Sequence, residues 1–230
     1  MYRILVVEDD EDLKNIFAVF LGNHGYHYDL AASSAEALAF AEATDYDLVL
    51  LDVMLPDENG DVICMKLRRR KNMPIVFVSC LDDESTIINA LRVGGDDYVV
   101  KPFQPAQLLA RIEANIRRYT EYKRKEQERN GIDSTVLKSF SLNHQNHSVL
   151  RNGHITTLSP TEYSTLILFM ENPDRLLLYN EIYHNIWQRD SLGDFRTVMV
   201  HVSNLRKKLE DEKGAIIKTV RGAGYIFSDE

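Results

Sequence analysis

The sequence predicts an α/β domain on a five-stranded, doubly wound parallel sheet, followed by a smaller α+β domain with antiparallel strands. Three observations predict this. Residues 1–119 alternate strand-like apolar runs with helical spacing, and the runs are unbroken, as in strands buried on both faces. After residue 133 the pattern changes to short alternating stretches with turn residues between them. The charge changes too: residues 1–119 hold 20 acidic and 12 basic side chains, whereas residues 134–230 hold 11 of each.

In the first half, Arg3–Val7 reads as a strand and Leu13–Leu21 as a helix that stops near Gly22 and Gly25. Tyr26–Leu30 is a second strand, and Ser34–Ala43 an Ala-rich helix that Ser33 or Ser34 can cap. Asp47–Leu51 is a third strand, followed by a turn at Pro56–Gly60 and a helix to about Arg70. Pro74–Ser79, the helix Glu84–Val93, Tyr98–Val100 and the helix Pro105–Tyr119 complete five βα units. Residues 120–133 have almost no apolar content and mixed charge; they read as a linker or a frayed continuation of the last helix.

In residues 134–230, Val136–Leu142, Ser148–Arg151 and His154–Thr157 suggest an antiparallel sheet turning at Asn152–Gly153. Ser159-Pro-Thr-Glu162 is a capping box with proline at the first helical position. Two further helices follow, near Asn180–Trp187 and Phe195–Glu210, and then a hairpin with a glycine-rich tip, Arg221-Gly-Ala-Gly224.

Cys64 and Cys80 cannot make a disulfide framework and read as thiols in a reducing compartment. The apolar start Ile4–Val7 is too short for a signal peptide, and the other apolar runs are far below membrane-spanning length, so the expected location is the cytoplasm, with no membrane partner. An acidic first half and a neutral second half imply different partners, and any nucleic-acid site must be a local patch.

In parallel α/β sheets chemistry gathers at the carboxyl ends of strands. Here those ends carry Glu8-Asp9-Asp10, Asp52, Ser79 and Lys101-Pro102. Carboxylates close together need a cation, and oxygen ligands with room for water suit Mg2+. Asp52 could then attack a phosphoryl donor, while Lys101 and the Ser79 hydroxyl stabilise the phosphoryl oxygens. Together with Leu50-Leu-Asp52-Val-Met-Leu-Pro56-Asp-Glu-Asn-Gly60 and Asp97-Tyr-Val-Val-Lys101-Pro-Phe103, residues 1–119 resemble a bacterial response-regulator receiver, of flavodoxin-like fold. The resemblance implies Mg2+ held by Asp9, Asp52 and the Met54 backbone carbonyl, with Glu8 acting through water. It implies Asp52 as phosphoacceptor, a sensor histidine kinase as donor, Ser79 and Tyr98 as a switch pair, and a cis peptide before Pro102. Cys80 stands where such receivers carry alanine or glycine, and its bulk is expected to restrict access to Asp52. A dimerisation face would use Asp96, Asp97, Arg111 and Arg118, although Ile87 and Gln107 stand where another charged pair is expected.

In Phe195–Glu210, Val198, Val202, Leu205 and Leu209 recur at helical spacing and predict a core face. The outward face carries Arg196, Ser203, Asn204, Lys207 and Lys208, with His201 and Arg206 at its margins. A helix of this kind fits the major groove and a basic hairpin tip the minor groove. Leu158-Ser-Pro-Thr-Glu-Tyr163, Ile186-Trp187, the Arg196–Leu209 helix and Thr219-Val-Arg-Gly-Ala-Gly-Tyr225 resemble the winged-helix effector domain of the OmpR/PhoB subfamily. That makes Arg196, His201, Ser203, Asn204, Arg206 and Lys207 recognition-helix candidates and Thr219 and Arg221 wing candidates. Arg196, Lys207 and Thr219 would hold phosphates, and Ser203, Asn204 and Arg206 would face base edges. Ser203 and Asn204 replace arginines common in relatives, which should weaken the salt dependence. Asp194, Glu210, Asp211 and Glu212 would further blunt non-specific affinity.

The whole reads as a two-component regulator: receiver 1–119, linker 120–133, DNA-binding domain 134–230. Phosphorylation would drive homodimerisation and binding to double-stranded DNA, with RNA polymerase as a further partner. Two rivals are a DNA binder whose receiver is only structural, and an aspartate-nucleophile phosphohydrolase. Met54 argues against the latter, which needs a second aspartate at that place.

Overall fold

The computed structural model describes residues 1–69, 71–128, 134–187, 195–211 and 213–229, without the side chains of 122–128. Asp194 and Glu212, and residues 129–133 of the expected linker, lie outside the described residues. The chain divides into two compact units, Met1–Tyr119 and Thr120–Glu230.

The first unit holds β1 (Arg3–Val7), α1 (Glu11–Asn23), β2 (His27–Ala31), α2 (Ser34–Ala43), β3 (Leu48–Leu51), α3 (Gly60–Arg68), β4 (Ile75–Ser79), α4 (Glu84–Arg92), β5 (Asp97–Val100) and the start of α5 (Pro105–Glu128). The strands form a parallel sheet in the order β2-β1-β3-β4-β5. The register aligns Ile4 with Tyr28 and Leu48, Val49 with Ile75, and Val76 with Asp97. Alternate strand residues serve opposite faces. Leu5, Val7, Val49 and Leu51 pack with Ala37, Ile63 and Leu67 of α2 and α3, while Ile4, Val6, Leu48 and Leu50 pack with Phe17 and Leu21 of α1 and Leu108 and Ile112 of α5. Burial on both faces explains the continuous apolar runs.

Helix starts follow local chemistry. The Asp10 carboxylate accepts from Leu13 N, Ser33 Oγ from Glu36 N and Asp83 Oδ1 from Thr86 N, so each cap satisfies one orphan N–H. α5 runs on to Glu128, so the segment beyond Tyr119 begins as a continuation of that helix. The strand order reverses between β1 and β3, and their carboxyl ends present Glu8 and Asp52 side by side, the crevice where such sheets bind ligands.

The second unit opens with a four-stranded antiparallel meander, β6 (Ser134–Val136), β7 (Ser141–Asn143), β8 (Ser148–Arg151) and β9 (His154–Thr157). The β8–β9 turn has φ of 50° at Asn152 and 83° at Gly153, the left-handed pair that suits a tight hairpin. α6 (Pro160–Met170) begins with the full capping box: Ser159 N donates to Glu162 Oε2 (2.7 Å) and Glu162 N to Ser159 Oγ (3.4 Å). β10 (Leu176–Leu178), α7 (Tyr179–Trp187), α8 (Arg196–Lys208), β11 (Ile217–Val220) and β12 (Gly224–Phe227) follow. β10 was not expected from sequence. It pairs with β12, and a Cβ on Gly224 would lie 1.9 Å from the Leu177 carbonyl oxygen, so only glycine permits this approach. Helix α8 before the β11–β12 hairpin is a winged-helix arrangement, with Tyr163, Leu166, Ile182, Trp187, Val198, Val202, Leu205 and Tyr225 in one core.

Candidate functional site: a carboxylate–lysine pocket and a helix–hairpin surface

Three strand ends of the first unit meet through one ammonium group. Lys101 Nζ donates to Glu8 Oε2 at 2.5 Å and to Asp52 Oδ2 at 2.6 Å, and the side chains are only 7%, 4% and 10% exposed. The other Asp52 oxygen accepts from Met54 N at 3.0 Å, and Glu8 Oε1 accepts from Asp10 N at 3.4 Å. Burial raises the Glu8 carboxyl above its usual value, against the pull of Lys101 and with help from the Asp52 charge. Burial alone would lower Lys101, but its hydrogen bonds to Asp52 and Glu8 outweigh that, and its pKa rises. The ammonium is held charged between the two carboxylates.

The floor is equally constrained. Asp52 N donates to Val7 O and Lys101 N to Ser79 O, which tie β1, β3, β4 and the loop after β5 together. The Lys101–Pro102 peptide is cis. A Cβ on Gly60 would lie 2.1 Å from the Asp52 carbonyl oxygen, so the β3–α3 loop can close over Asp52 only with glycine there. Ser34 N and Oγ hold Asp57 and Glu58 of the same loop, and Lys66 donates to Glu58 at 2.7 Å. This clamp was not foreseen from sequence, because no local pattern links residues 34, 58 and 66. Ser79 is buried, and the Tyr98 hydroxyl donates to Leu81 O at 2.7 Å, its pKa pushed up to about 12 by burial. Cys80 is exposed.

Asp9 is exposed, and among the described residues no group of three or more His, Cys, Asp or Glu side chains is gathered as a metal cage. The donor chemistry nevertheless fits Mg2+. Glu8, Asp9, Asp52 and the Met54 carbonyl offer only oxygen, and the buried carboxylates already draw a cation to themselves, here Lys101. Mg2+ needs few protein oxygens because it keeps several waters.

Of the residues expected on a dimerisation face, Asp96, Asp97 and Arg118 are buried within the single chain and Arg111 is half-buried. Asp96 is fully buried and accepts from Arg68 Nη2 (2.5 Å) and Ile75 N (2.9 Å). Asp97 is buried and pairs with Arg111 of its own chain, and the buried Arg118 donates to Asn115 Oδ1. Acids at the start of β5 are consumed in holding β4, α3 and α5, so this set does not form a row of solvent-facing charges.

In the second unit the exposed stripe of α8 is Arg196, Met199, Ser203, Lys207 and, beyond its end, Glu210. Five expectations are corrected. His201 is buried, its ring centroid 5.7 Å from that of Trp187, and Asn204 is buried as well. Arg206 turns away from the stripe: Nε donates to Ile217 O (2.9 Å) and Nη2 to Thr219 Oγ1 (2.8 Å), bracing helix to wing. Asp211 is a buried anchor that accepts from Ala215, Ile216 and Ile217 N, so its charge is spent on the backbone. Lys208 is also committed, to Glu162 Oε2 (2.5 Å) and Thr157 O (2.9 Å). Lys218, Thr219 and Arg221 are exposed on the hairpin. Met199, 43% exposed on the same stripe, was missed, because an apolar residue in an amphipathic pattern reads as core.

Residues 4–113 match the family model of the response regulator receiver domain, and residues 153–227 that of the C-terminal domain of transcriptional regulatory proteins. The chain is 33% identical to the uncharacterized transcriptional regulatory protein YclJ of Bacillus subtilis, over 99% of this chain and 100% of that protein. It resembles the solved structure of a RitR mutant with a TM-score of 0.81 and 28% identity, covering 100% of both chains. It also resembles DrrB, described as a Thermotoga maritima OmpR/PhoB homolog, with a TM-score of 0.50 and 25% identity over 99% of each chain.

Proposed function

Because this chain belongs to the OmpR/PhoB-type response regulators, which couple phosphorylation of a receiver to transcription regulation by a DNA-binding domain, we propose that Asp52 is its phosphoacceptor and α8 with the β11–β12 wing its DNA-reading surface. The observation that carries this reading is the single ammonium of Lys101 spanning Glu8 and Asp52. Asp52 is buried, and Lys101 Nζ lies within hydrogen-bond distance of its Oδ2.

In the proposed reaction an Asp52 carboxylate oxygen attacks the phosphorus of a phosphohistidine on a sensor kinase. The O–P bond forms, the P–N bond breaks, and the imidazole nitrogen keeps the electron pair. Lys101 then transfers its hydrogen bond from the lost carboxylate charge to a phosphoryl oxygen. Mg2+ would be held by Asp9, Asp52 and the Met54 carbonyl, with Glu8 through water, and would supply charge neutralisation of the phosphoryl oxygens. Ser79 would turn its hydroxyl to the new anion, and Tyr98 would leave Leu81 O as that loop shifts. The favoured state is the one that dimerises, already present as a minor population. In the described residues no helix is long and apolar enough to cross a membrane, and we place the protein in the cytoplasm.

The proposed organisation is a receiver at 1–119, a connecting segment at 120–133 and a DNA-binding domain at 134–230. RNA polymerase is the further partner that transcription control calls for. The test is to add BeF3− with Mg2+, or acetyl phosphate, and to measure solution mass and affinity for duplex DNA. Wild type should dimerise and bind more tightly, and Asp52→Ala should not respond. Equal responses from the two proteins would reject the assignment.

A further inference from the structure

We infer that Met199 reads the C5-methyl group of thymine in the major groove and makes this chain's target preference depend on thymine methyls. The inference rests on the DNA-binding reading above and names the base chemistry that its surface selects.

Packing leaves few side chains on the exposed face of α8. Buried His201 and Asn204 are withdrawn from it, and Arg206 is turned to Ile217 O and Thr219 Oγ1. Side chains three and four apart share a helix face. Arg196, Met199, Ser203 and Lys207 therefore form one row, with cations at its two ends and Met199 and Ser203 in its middle. Cations at the ends suit the phosphates on either side of a groove, and the middle of the row meets base edges. Those middle positions offer one hydroxyl and one thioether. A hydroxyl accepts either partner type and discriminates weakly. A thioether side chain has no donor and only a weak acceptor, and thymine alone presents a methyl group in the major groove. At 43% exposure Met199 leaves a large apolar area in water, whereas Val198, Val202 and Leu205 of the same helix are buried and Val200 is half-buried. Covering that area with a methyl group removes both surfaces from water, worth about fourfold in affinity for one buried methyl-sized group.

The experiment uses the full-length protein with BeF3− and Mg2+. Duplexes are selected from a random library, and each thymine of the recovered site is then replaced singly by deoxyuridine, which lacks only the methyl. At one or two positions wild type should lose roughly three- to tenfold in affinity. Met199→Ala should bind thymine and deoxyuridine duplexes equally there, and Met199→Leu should retain the preference. Deoxyuridine without cost at every position would overturn the inference, as would a penalty that persists unchanged in Met199→Ala. Failure to retain any duplex would instead remove the DNA-binding reading, and this inference with it. The comparison of duplexes on wild type needs no variant, so it stands whatever the folding of Met199→Ala.

Discussion

Replacing Lys101 by methionine tests whether one ammonium makes the buried carboxylate pair tolerable. Its nitrogen lies 2.5 Å from Glu8 Oε2 and 2.6 Å from Asp52 Oδ2, and the three side chains are 7%, 4% and 10% exposed. Methionine keeps most of the volume and removes the charge, leaving two carboxylates with no counter-charge where water scarcely reaches. Breaking a buried pair in this way costs about 3–5 kcal/mol, and water at the rim beside Asp52 sets the expectation at the lower end, about 3 kcal/mol. That corresponds to a fall of roughly 10 °C in the receiver transition. The loss should depend on pH with a definite sign. Burial raises Glu8 above its unfolded value of 4.5, so the folded state binds this proton more tightly. The resulting stabilisation is complete below the unfolded pKa and is lost as pH rises through the folded pKa. Without Lys101 the chief force lowering Glu8 disappears, its pKa rises further, and the deficit grows from acid towards neutral pH. Urea unfolding of the full chain from about pH 5 to about pH 8 measures it. Adding Glu8→Gln to Lys101→Met should recover part of the loss, because one of the two opposed charges is gone. A deficit under about 0.5 kcal/mol, the range of ordinary surface substitutions, or one of equal size at every pH, refutes the reasoning.

Three further outcomes each depend on a single contact. Gly60→Ala should slow phosphorylation by acetyl phosphate and destabilise the receiver by about 1–3 kcal/mol, because its Cβ would meet the Asp52 backbone at 2.1 Å; a normal rate and melt would contradict the packing. Arg206→Ala, which cuts the brace to Ile217 O and Thr219, should cost about 1–2 kcal/mol of stability and weaken binding to selected and scrambled duplexes alike; loss confined to selected DNA would make Arg206 a base reader after all. Lys208→Met should destabilise the second unit by about 2 kcal/mol, as it strands Glu162, which is 1% exposed; an unchanged melt would mean that Glu162 is satisfied by Ser159 alone.

Sequence by itself determined the features that depend on neighbours along the chain. Ser33 and Ser159 were legible as caps of the helices they precede, because a cap is a contact between residues three apart, and Asp10 and Asp83, not foreseen as caps, follow the same local rule. The unbroken runs of β3 and β4 pointed to the parallel sheet, and a parallel sheet obliges its strand ends to share one rim, which is why Glu8, Asp52 and Lys101 could be grouped in advance. The face of α8 that carries Val198, Val202, Leu205 and Leu209 was equally legible from its period. Only the tertiary structure decided how wide that face is. Trp187 from α7 lies against His201, and β11 captures Arg206, so two residues that a helical wheel leaves at the margin are withdrawn or redirected while Met199 stays in water. The same holds for Leu176–Leu178, whose three leucines carry no period and become a strand only beside β12. It holds for Asp96 too, whose charge is spent on Arg68, distant in sequence. Periodicity reports which side of an element is apolar, but whether a polar side chain meets water, a backbone group or an opposite charge depends on what the rest of the chain brings against it.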